Sequence, residues 1–311
     1  MTRLQGNERT IAVTALRHAA PYIRMYKGKV FVLKAGGEAF DTPEATRRLV
    51  EQIGILHQVG IRVVLVHGGG PQSTALAGRL DVEAHFVDGR RVTDGEALKV
   101  MTMVLNGQIN TEIVAACRAL SVPAVGVSGV DAGLIRAEKR PPVQRGAAGE
   151  TIDYGFVGDI KDVDTSVLEN LLDDNLVPIV SPISADTDGT LLNINADTVA
   201  AAIAGSLGAE KLILATGAAG ILETLEDPRS LISYLDTAGL KRLRADGKLS
   251  AGMLPKVAAI EQALAAGVPR VHVISYSLPD GLLLEVFTNE GTGTLVVADT
   301  GELSAAEQIR E

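Results

Sequence analysis

Short apolar segments rich in β-branched residues alternate with longer segments of helical spacing from Lys29 onward, and this alternation restricts the fold more than any other feature. The predicted strands are 30–33, 61–66, 124–127, 177–181, 211–215 and 270–274. The predicted helices are 43–59, 95–105, 110–120, 167–175, 198–207 and 256–266. Parallel strands need long crossover connections, which are usually helices. We therefore predict the α/β class, with an open, mostly parallel sheet in an αβα sandwich.

Residues 10–25, ahead of this alternation, form a predicted amphipathic helix. Its apolar residues recur at helical spacing, and they are Ile11, Leu16, Ala19, Ala20 and Ile23. The fold therefore has an N-terminal helix extension, which must cover either its own domain or another subunit.

Composition argues against several classes of protein. The formal net charge of −9 and an aromatic content of 3% leave no basic, stacking surface for nucleic acid. We find no apolar run of about 18 residues and no signal peptide, so we expect a cytoplasmic protein without a membrane segment. The single Cys117 excludes a disulfide framework and cysteine-based metal sites.

Three glycine-rich loops follow predicted strands. They contain Gly36 and Gly37, then Gly68 to Gly70, then Gly217 and Gly220. Glycine lets backbone N–H groups approach an anion, and a following helix adds its positive end, although each loop alone could also be a tight turn. The chain has no P-loop motif, and residues 68–73 lack the third glycine of a dinucleotide-binding motif.

Lys34, Asp197 and Lys256 are the candidate catalytic residues. Lys34 ends a buried strand at the sheet edge where ligands bind, and an ammonium group there requires an anion. Each residue also has a simpler interpretation. Lys34 could be a strand-end charge, Asp197 the N-cap of a helix that begins at Thr198, and Lys256 a surface lysine.

The sequence at these residues resembles the amino acid kinase family, and within it the branch that phosphorylates N-acetyl-L-glutamate. The motifs that carry the resemblance are 32–37, 66–72, 86–94, 126–129, 155–158, 193–197, 252–256 and 287–294. The resemblance implies the amino acid kinase fold and a phosphotransferase with a carboxyl group as acceptor. The reaction would be ATP-dependent phosphorylation of the γ-carboxylate of N-acetyl-L-glutamate to an acyl phosphate, in arginine biosynthesis.

The resemblance also implies roles for individual residues. Lys34 and Lys256 would neutralise charge on the transferred phosphoryl group, and Asp197 would hold both ammonium groups. The implied substrate-binding residues are Gly37, Gly69, Gly70, Arg91 and Asn193. The implied nucleotide-binding residues are Gly36, Gly37, Gly217, Gly220 and Lys256. The cofactor would be ATP with Mg²⁺ on its phosphates, and we expect no metal site in the protein itself.

Arginine-inhibited members of this family carry an extra N-terminal helix that builds a hexamer. The resemblance therefore implies a homo-oligomer, either a hexamer or a dimer, and allosteric inhibition by L-arginine. The matching inhibitor-site residues are His272, Glu285 and Gly291, although Glu285 alone would be interpreted as a solvated surface charge. A PII-type signalling protein is a further candidate partner.

The chain departs from the family pattern at two places, one in the predicted nucleotide site and one just after His272 of the predicted inhibitor site. The family has aspartate where this chain has Gly217, and an Asp-Gly pair where this chain has Ser275 and Tyr276. Two alternatives therefore stay open. One is a protein that senses arginine or acetylglutamate with weak or no kinase activity. The other is a kinase for another acylated acidic amino acid, such as aminoadipate.

We predict three segments within one fold. Residues 1–26 would form the N-terminal tail and the oligomerisation helix. Residues 27–185 would form the lobe that binds the acyl amino acid, and residues 186–311 the nucleotide-binding lobe of the same domain.

Overall fold

The computed structural model describes residues 6–87, 90–145, 150–224, 227, 229–289 and 291–303. Its strands are β1 (Val30–Ala35), β2 (Arg62–His67), β3 (Phe86–Val87), β4 (Arg90–Arg91), β5 (Ala124–Ser128), β6 (Ile135–Lys139), β7 (Val143–Arg145), β8 (Glu150–Ile152), β9 (Gly158–Val163), β10 (Val177–Ser181), β11 (Ile183–Ala185), β12 (Leu191–Asn193), β13 (Lys211–Thr216), β14 (Tyr234–Asp236), β15 (Arg270–Ser275) and β16 (Thr294–Val297). Its α-helices are α1 (Gly6–Tyr26), α2 (Pro43–Gln58), α3 (Gly70–Arg79), α4 (Gly95–Thr102), α5 (Asn110–Ala119), α6 (Ser166–Asp173), α7 (Ala196–Ser206), α8 (Thr237–Ala245), α9 (Leu254–Ala265) and α10 (Gly281–Phe287).

An eight-stranded sheet contains all six predicted strands. Its order is β14-β16-β15-β13-β1-β2-β10-β5, and every neighbouring pair is parallel except β15 with β16. Strand β1 lies between β13 and β2, and Lys34 pairs with Leu214 and Val66. The prediction of an open, mostly parallel sheet is therefore confirmed.

Helices pack on both faces of this sheet because β1 alternates its apolar side chains. Val32 belongs to a core with the small residues of α7 and α9, whereas Phe31 and Leu33 belong to a core with α2 and α5. Both faces of the central strands are thereby buried, as in other parallel sheets. This arrangement confirms the predicted αβα sandwich.

Capping side chains set the starts of two helices that the sequence predicts. Thr42 accepts a hydrogen bond from the backbone N–H of Ala45, and Pro43 occupies the first turn of α2. Helix α7 begins at Ala196 rather than Thr198, because the side chain of Asn195 caps it. The interpretation of Asp197 as an N-cap is therefore wrong, and Asp197 instead lies buried in the first turn.

A smaller sheet and several short elements go beyond the sequence prediction. The small sheet has the order β12-β11-β6-β9, and β7 pairs antiparallel with β8 in a separate two-stranded sheet. Helix α4 continues as a π-helical segment over Met103–Ile109. The proposed lobe boundary at residue 186 falls in the turn between β11 and β12, where Asp186 binds the backbone N–H groups of Asp188 and Thr190.

Helix α1 contacts the rest of the chain mainly through its last turns, which lie against α10. Tyr22 donates a hydrogen bond to Asn289, and Tyr26 is buried. Ile11 and Leu16 are 61% and 65% exposed, so the first half of the apolar stripe covers none of the residues that the structure describes. Across the described ranges, no helix has the length and apolar composition to cross a membrane.

Candidate active site

Three elements bring Lys34, Asp197 and Lys256 together into what we call the lysine–aspartate cluster. Lys34 lies at the end of β1, Asp197 in the first turn of α7 and Lys256 in the first turn of α9. The Lys34 Nζ atom lies 2.9 Å from Asp197 Oδ1, and the Lys256 Nζ atom lies 3.3 Å from Asp197 Oδ2. One carboxylate therefore contacts two ammonium groups, and each of the three residues belongs to a different element. Even Lys256, the lysine nearer to Asp197 in sequence, is 59 residues away from it.

Burial and the neighbouring charges have opposite effects on the pKa values of Asp197 and Lys34. Burial alone would raise the pKa of the Asp197 carboxyl, but the ammonium groups of Lys34 and Lys256 outweigh burial and hold that pKa below its usual value. Burial lowers the pKa of Lys34, and Asp197 opposes this effect. The cluster therefore holds an ionised carboxylate with positive charge beside it, a suitable arrangement for a polyanionic ligand.

A cavity of about 280 Å³ lies beside the two lysines, and we call it the lysine cavity. It opens at the carboxyl ends of β1, β13 and β15, the sheet edge at which ligands bind in open α/β folds. Its lining residues are Lys34, Gly36, Glu38, Ala215, Thr216, Gly217, Lys256 and Tyr276. The structure thus places the predicted residues Gly36 and Gly217 beside both lysines.

The loops after β1 and β2 touch each other through glycines. A Cβ atom on Gly37 would lie 2.9 Å from the Cα atom of Gly69, and one on Gly69 would lie 2.4 Å from Ile109 Cδ1. Gln72 Nε2 also donates a hydrogen bond to the Gly37 carbonyl over 2.8 Å. Around Gly70, the first residue of α3, a Cβ atom would meet nothing within 4 Å. The start of α3 is therefore accessible to a ligand, as the prediction requires.

His67, which the sequence analysis passed over, holds the start of the second glycine loop. Its ring is fully buried at the end of β2, with Nδ1 3.2 Å from the Gly68 carbonyl and Nε2 3.1 Å from Asn110 Nδ2. Burial lowers the pKa of His67 to about 4, so the ring is neutral at physiological pH. A neutral ring can donate from Nδ1 to Gly68 and accept from Asn110.

We expect His67 to make the free energy of unfolding depend on pH between 6.5 and about 4. In this range the unfolded chain binds a proton at His67 and the folded chain does not, so stability falls as pH falls, by about 3 kcal/mol in total. Urea unfolding at several pH values of the unaltered chain and of His67→Gln measures this contribution. The variant should lose less stability over this range, whereas the exposed His85→Gln control should match the unaltered chain.

Arg91 and Asn193 lie outside the lining of the lysine cavity. Arg91 Nη2 donates to Thr74 Oγ1 of α3 over 2.5 Å, and its guanidinium carbon lies 4.6 Å from the centroid of the Phe86 ring. Asn193 Nδ2 donates to Thr93 Oγ1 over 3.4 Å. Arg91 is thus bound to α3 and Asn193 to Thr93, and the substrate-binding role of both residues stays a prediction.

Gly220 has a packing reason to be glycine. A Cβ atom there would lie 2.6 Å from both Leu231 Cδ1 and Thr294 Oγ1, and Gly220 is not part of the cavity lining. Its predicted contact with the nucleotide stays a prediction.

Two of the predicted inhibitor-site residues, His272 and Glu285, lie outside the lining of the lysine cavity. Together with Lys211 they form a buried group that we call the histidine cluster. His272 Nε2 lies 2.9 Å from Lys211 Nζ, and His272 Nδ1 lies 2.6 Å from Glu285 Oε1. Glu285 is 3% exposed and accepts hydrogen bonds from the backbone of the loop that follows Gly291. The interpretation of Glu285 as a solvated surface charge is therefore wrong.

The histidine cluster also reaches the N-terminal helix. The Lys211 Nζ atom lies 5.0 Å from the centroid of the Tyr26 ring, at the end of α1. Gly291 has a φ of +58°, a left-handed conformation that glycine adopts without strain.

No group of three or more His, Cys, Asp or Glu side chains that could hold a metal ion occurs in the described part of the chain. The charged groups at the lysine cavity are instead suited to phosphate oxygens.

Comparison with known proteins gives three results. A model of the amino acid kinase family matches residues 29–275. The acetylglutamate kinase of Myxococcus xanthus is 46% identical over 296 residues, which cover 94% of this chain and 96% of that protein. The solved structure of N-acetylglutamate synthase from Neisseria gonorrhoeae, complexed with coenzyme A and N-acetyl-glutamate, is similar with a TM-score of 0.80 at 28% identity. The similarity covers 93% of this chain and 64% of that one.

Proposed function

Because the chain belongs to the amino acid kinase family, we propose that it transfers the γ-phosphoryl group of ATP to the γ-carboxylate of N-acetyl-L-glutamate. The observation that carries this proposal is the lysine–aspartate cluster, in which two ammonium groups share one carboxylate beside a cavity at the ligand edge of the sheet. The relatives at 41% to 46% identity that bear the name acetylglutamate kinase support the choice of acceptor.

The chemistry requires positioning and charge neutralisation rather than a general base. The acceptor carboxylate is ionised at neutral pH, so it can attack the γ-phosphorus atom without losing a proton. Lys34 and Lys256 neutralise charge on the oxygens of the transferred group, and Asp197 keeps the two ammonium groups at one place. Mg²⁺ arrives with the ATP phosphates as part of the substrate.

The two substrates approach the lysine–aspartate cluster from opposite sides of β1. We place the phosphates of ATP in the lysine cavity, against Gly36 and Gly217 of the loops after β1 and β13. We place N-acetyl-L-glutamate at Gly37, Gly69 and Gly70, where the accessible start of α3 offers backbone N–H groups to a carboxylate. Arg91 and Asn193 would hold the remaining polar groups of this substrate. Residues 27–185 and 186–311 would then be the two substrate lobes.

Trapping of the acyl phosphate as a hydroxamate tests the reaction. The assay combines the purified chain, Mg-ATP and N-acetyl-L-glutamate, with N-acetyl-L-aminoadipate as the competing acceptor. We expect hydroxamate from N-acetyl-L-glutamate, a yield lowered about 10²-fold or more in Lys34→Ala, and unchanged yield from Lys241→Ala, which removes an exposed lysine of α8. Preference for aminoadipate would move the proposal to another acylated acidic amino acid. A folded chain that binds arginine or acetylglutamate but forms no product would be a sensor.

We further propose that α1 assembles the chain into a homo-oligomer and that L-arginine inhibits it. The exposed apolar side chains of Ile11 and Leu16 support the first part, because they cover no part of the chain that the structure describes. The second part is supported by the buried carboxylate of Glu285, which lies beside His272 and the loop that begins at Gly291. A cytoplasmic location and a PII-type partner stay predictions of the sequence analysis.

Deletion of residues 1–25 is expected to lower the assembly mass measured by light scattering, because it removes the unpartnered apolar stripe. The double substitution Ile11→Asp with Leu16→Asp should give the same result, since charges at an apolar contact oppose association. Thr14→Asp, on the same exposed helix half, is the matched control and should leave the mass unchanged. Equal masses for all four proteins would contradict oligomerisation through α1.

A further inference from the structure

Tyr276 directly follows β15 and lies at the end of the neighbouring strand β13, next to Gly217. The backbone N–H of Tyr276 donates to the Thr216 carbonyl over 3.0 Å, which continues the pairing of β15 with β13 by one residue. A Cβ atom on Gly217 would lie 3.3 Å from the Tyr276 hydroxyl oxygen and 3.9 Å from two ring carbons. A side chain at residue 217 would therefore crowd the Tyr276 hydroxyl, whereas glycine does not.

Tyr276 lines the lysine cavity, and its hydroxyl lies next to Gly217, which lines the same cavity. Tyr276 is one of the lining residues, together with Lys34 and Lys256. Within the described ranges, no protein group is hydrogen-bonded to this hydroxyl, although the ring itself packs against the core that contains Phe31 and Leu33. Burial, together with the negative charges of Glu38 and Asp41, raises the pKa of Tyr276, so the hydroxyl keeps its proton and can donate it in a hydrogen bond.

Two departures from the family pattern thus meet at one point. This chain has glycine in place of the family's aspartate at position 217 and tyrosine in place of the family's glycine at position 276. In the structure the two residues are adjacent, and a side chain at position 217 would extend into the space beside the Tyr276 hydroxyl and ring. The loss of a carboxylate and the gain of a hydroxyl donor at the same cavity wall both favour an anionic ligand.

We propose that the Tyr276 hydroxyl donates a hydrogen bond to a phosphate oxygen of the bound nucleotide. This inference rests on the proposed function for the position of the nucleotide, and it adds a binding residue that the family pattern does not provide. The cavity that Tyr276 shares with two ammonium groups is the place for phosphates rather than for the base. Gly217 then acts on the nucleotide through Tyr276, by leaving room for its ring.

Calorimetry with Mg²⁺ and the non-hydrolysable ATP analogue AMP-PNP tests the proposal. Tyr276→Phe keeps the ring and removes only the hydroxyl, so we expect the Kd for AMP-PNP to rise about tenfold, with the unfolding temperature unchanged. Tyr22→Phe removes a hydroxyl that binds Asn289 at the end of α10, and it should leave this Kd unchanged. Equal Kd values for Tyr276→Phe and the unaltered chain would overturn the proposal, and so would failure of the unaltered chain to bind AMP-PNP.

A double-mutant cycle tests the dependence on Gly217. Gly217→Asp places a side chain against the Tyr276 ring, so it should weaken AMP-PNP binding strongly in the unaltered background and much less in the Tyr276→Gly background. Additive effects on Kd would refute the shared space. Both readouts are nucleotide binding without an acceptor. A chain that binds AMP-PNP through Tyr276 but does not phosphorylate N-acetyl-L-glutamate would therefore retain this inference and lose the proposed function.

Discussion

Replacing Lys34 by alanine is expected to lower kcat for acyl phosphate formation by about 10²–10³-fold, the usual cost of removing one preorganised group that stabilises charge in a transition state. The Lys34 ammonium is 7% exposed and fixed 2.9 Å from Asp197, so water cannot readily replace its charge. Because the interaction strengthens as the phosphoryl group transfers, kcat should fall far more than the affinity for N-acetyl-L-glutamate.

The measurement is steady-state hydroxamate formation at saturating Mg-ATP. Lys29→Ala is the matched control, since Lys29 precedes the same strand at its other end, is 53% exposed and pairs with Glu210. This control should retain the kcat of the unaltered chain. A kcat for Lys34→Ala close to that of Lys29→Ala would remove Lys34 from the mechanism.

The sequence predicts the large sheet well because its strands are buried on both faces. Strands such as β10 and β13 are continuous apolar runs, and runs of this kind stand out between amphipathic helices. The same pattern predicts that Lys34 lies at the edge of the sheet where the carboxyl ends of the parallel strands meet. The position of Lys34 was therefore predictable, whereas its contact with Asp197 and Lys256 required the family resemblance.

The rest of the fold depends on contacts that local patterns do not encode. Strands β11 and β12 have three residues each, too few for a periodic signal, and they exist because they pair with each other. The burial of Glu285 arises from His272 and from backbone N–H groups of a loop seven or eight residues further along the chain. The position of Tyr276 above Gly217 joins two strand ends 59 residues apart in sequence, and no pattern in either segment predicts it.

Replacing Asp197 by asparagine is expected to lower the free energy of unfolding by about 3 kcal/mol, in the range known for removal of one partner of a buried ion pair. The carboxylate is 4% exposed and contacts both Lys34 and Lys256. An amide of nearly the same shape would leave two ammonium groups near each other without a countercharge. Lys34 can limit this cost by losing its proton, because burial already lowers its pKa.

Urea unfolding at neutral pH, where Asp197 is ionised, measures the effect. Lys34→Met in the Asp197→Asn background serves as the matched comparison, since it removes the more deeply buried ammonium group and leaves Lys256, which is 19% exposed and can reach water. We expect the double variant to be more stable than Asp197→Asn alone, because the uncompensated charge is gone. Such a recovery of stability would show that Asp197 stabilises the folded chain by neutralising the ammonium groups beside it. If Asp197→Asn unfolds like the unaltered chain, the two ammonium groups do not depend on this carboxylate, and the cluster is not the centre of the site.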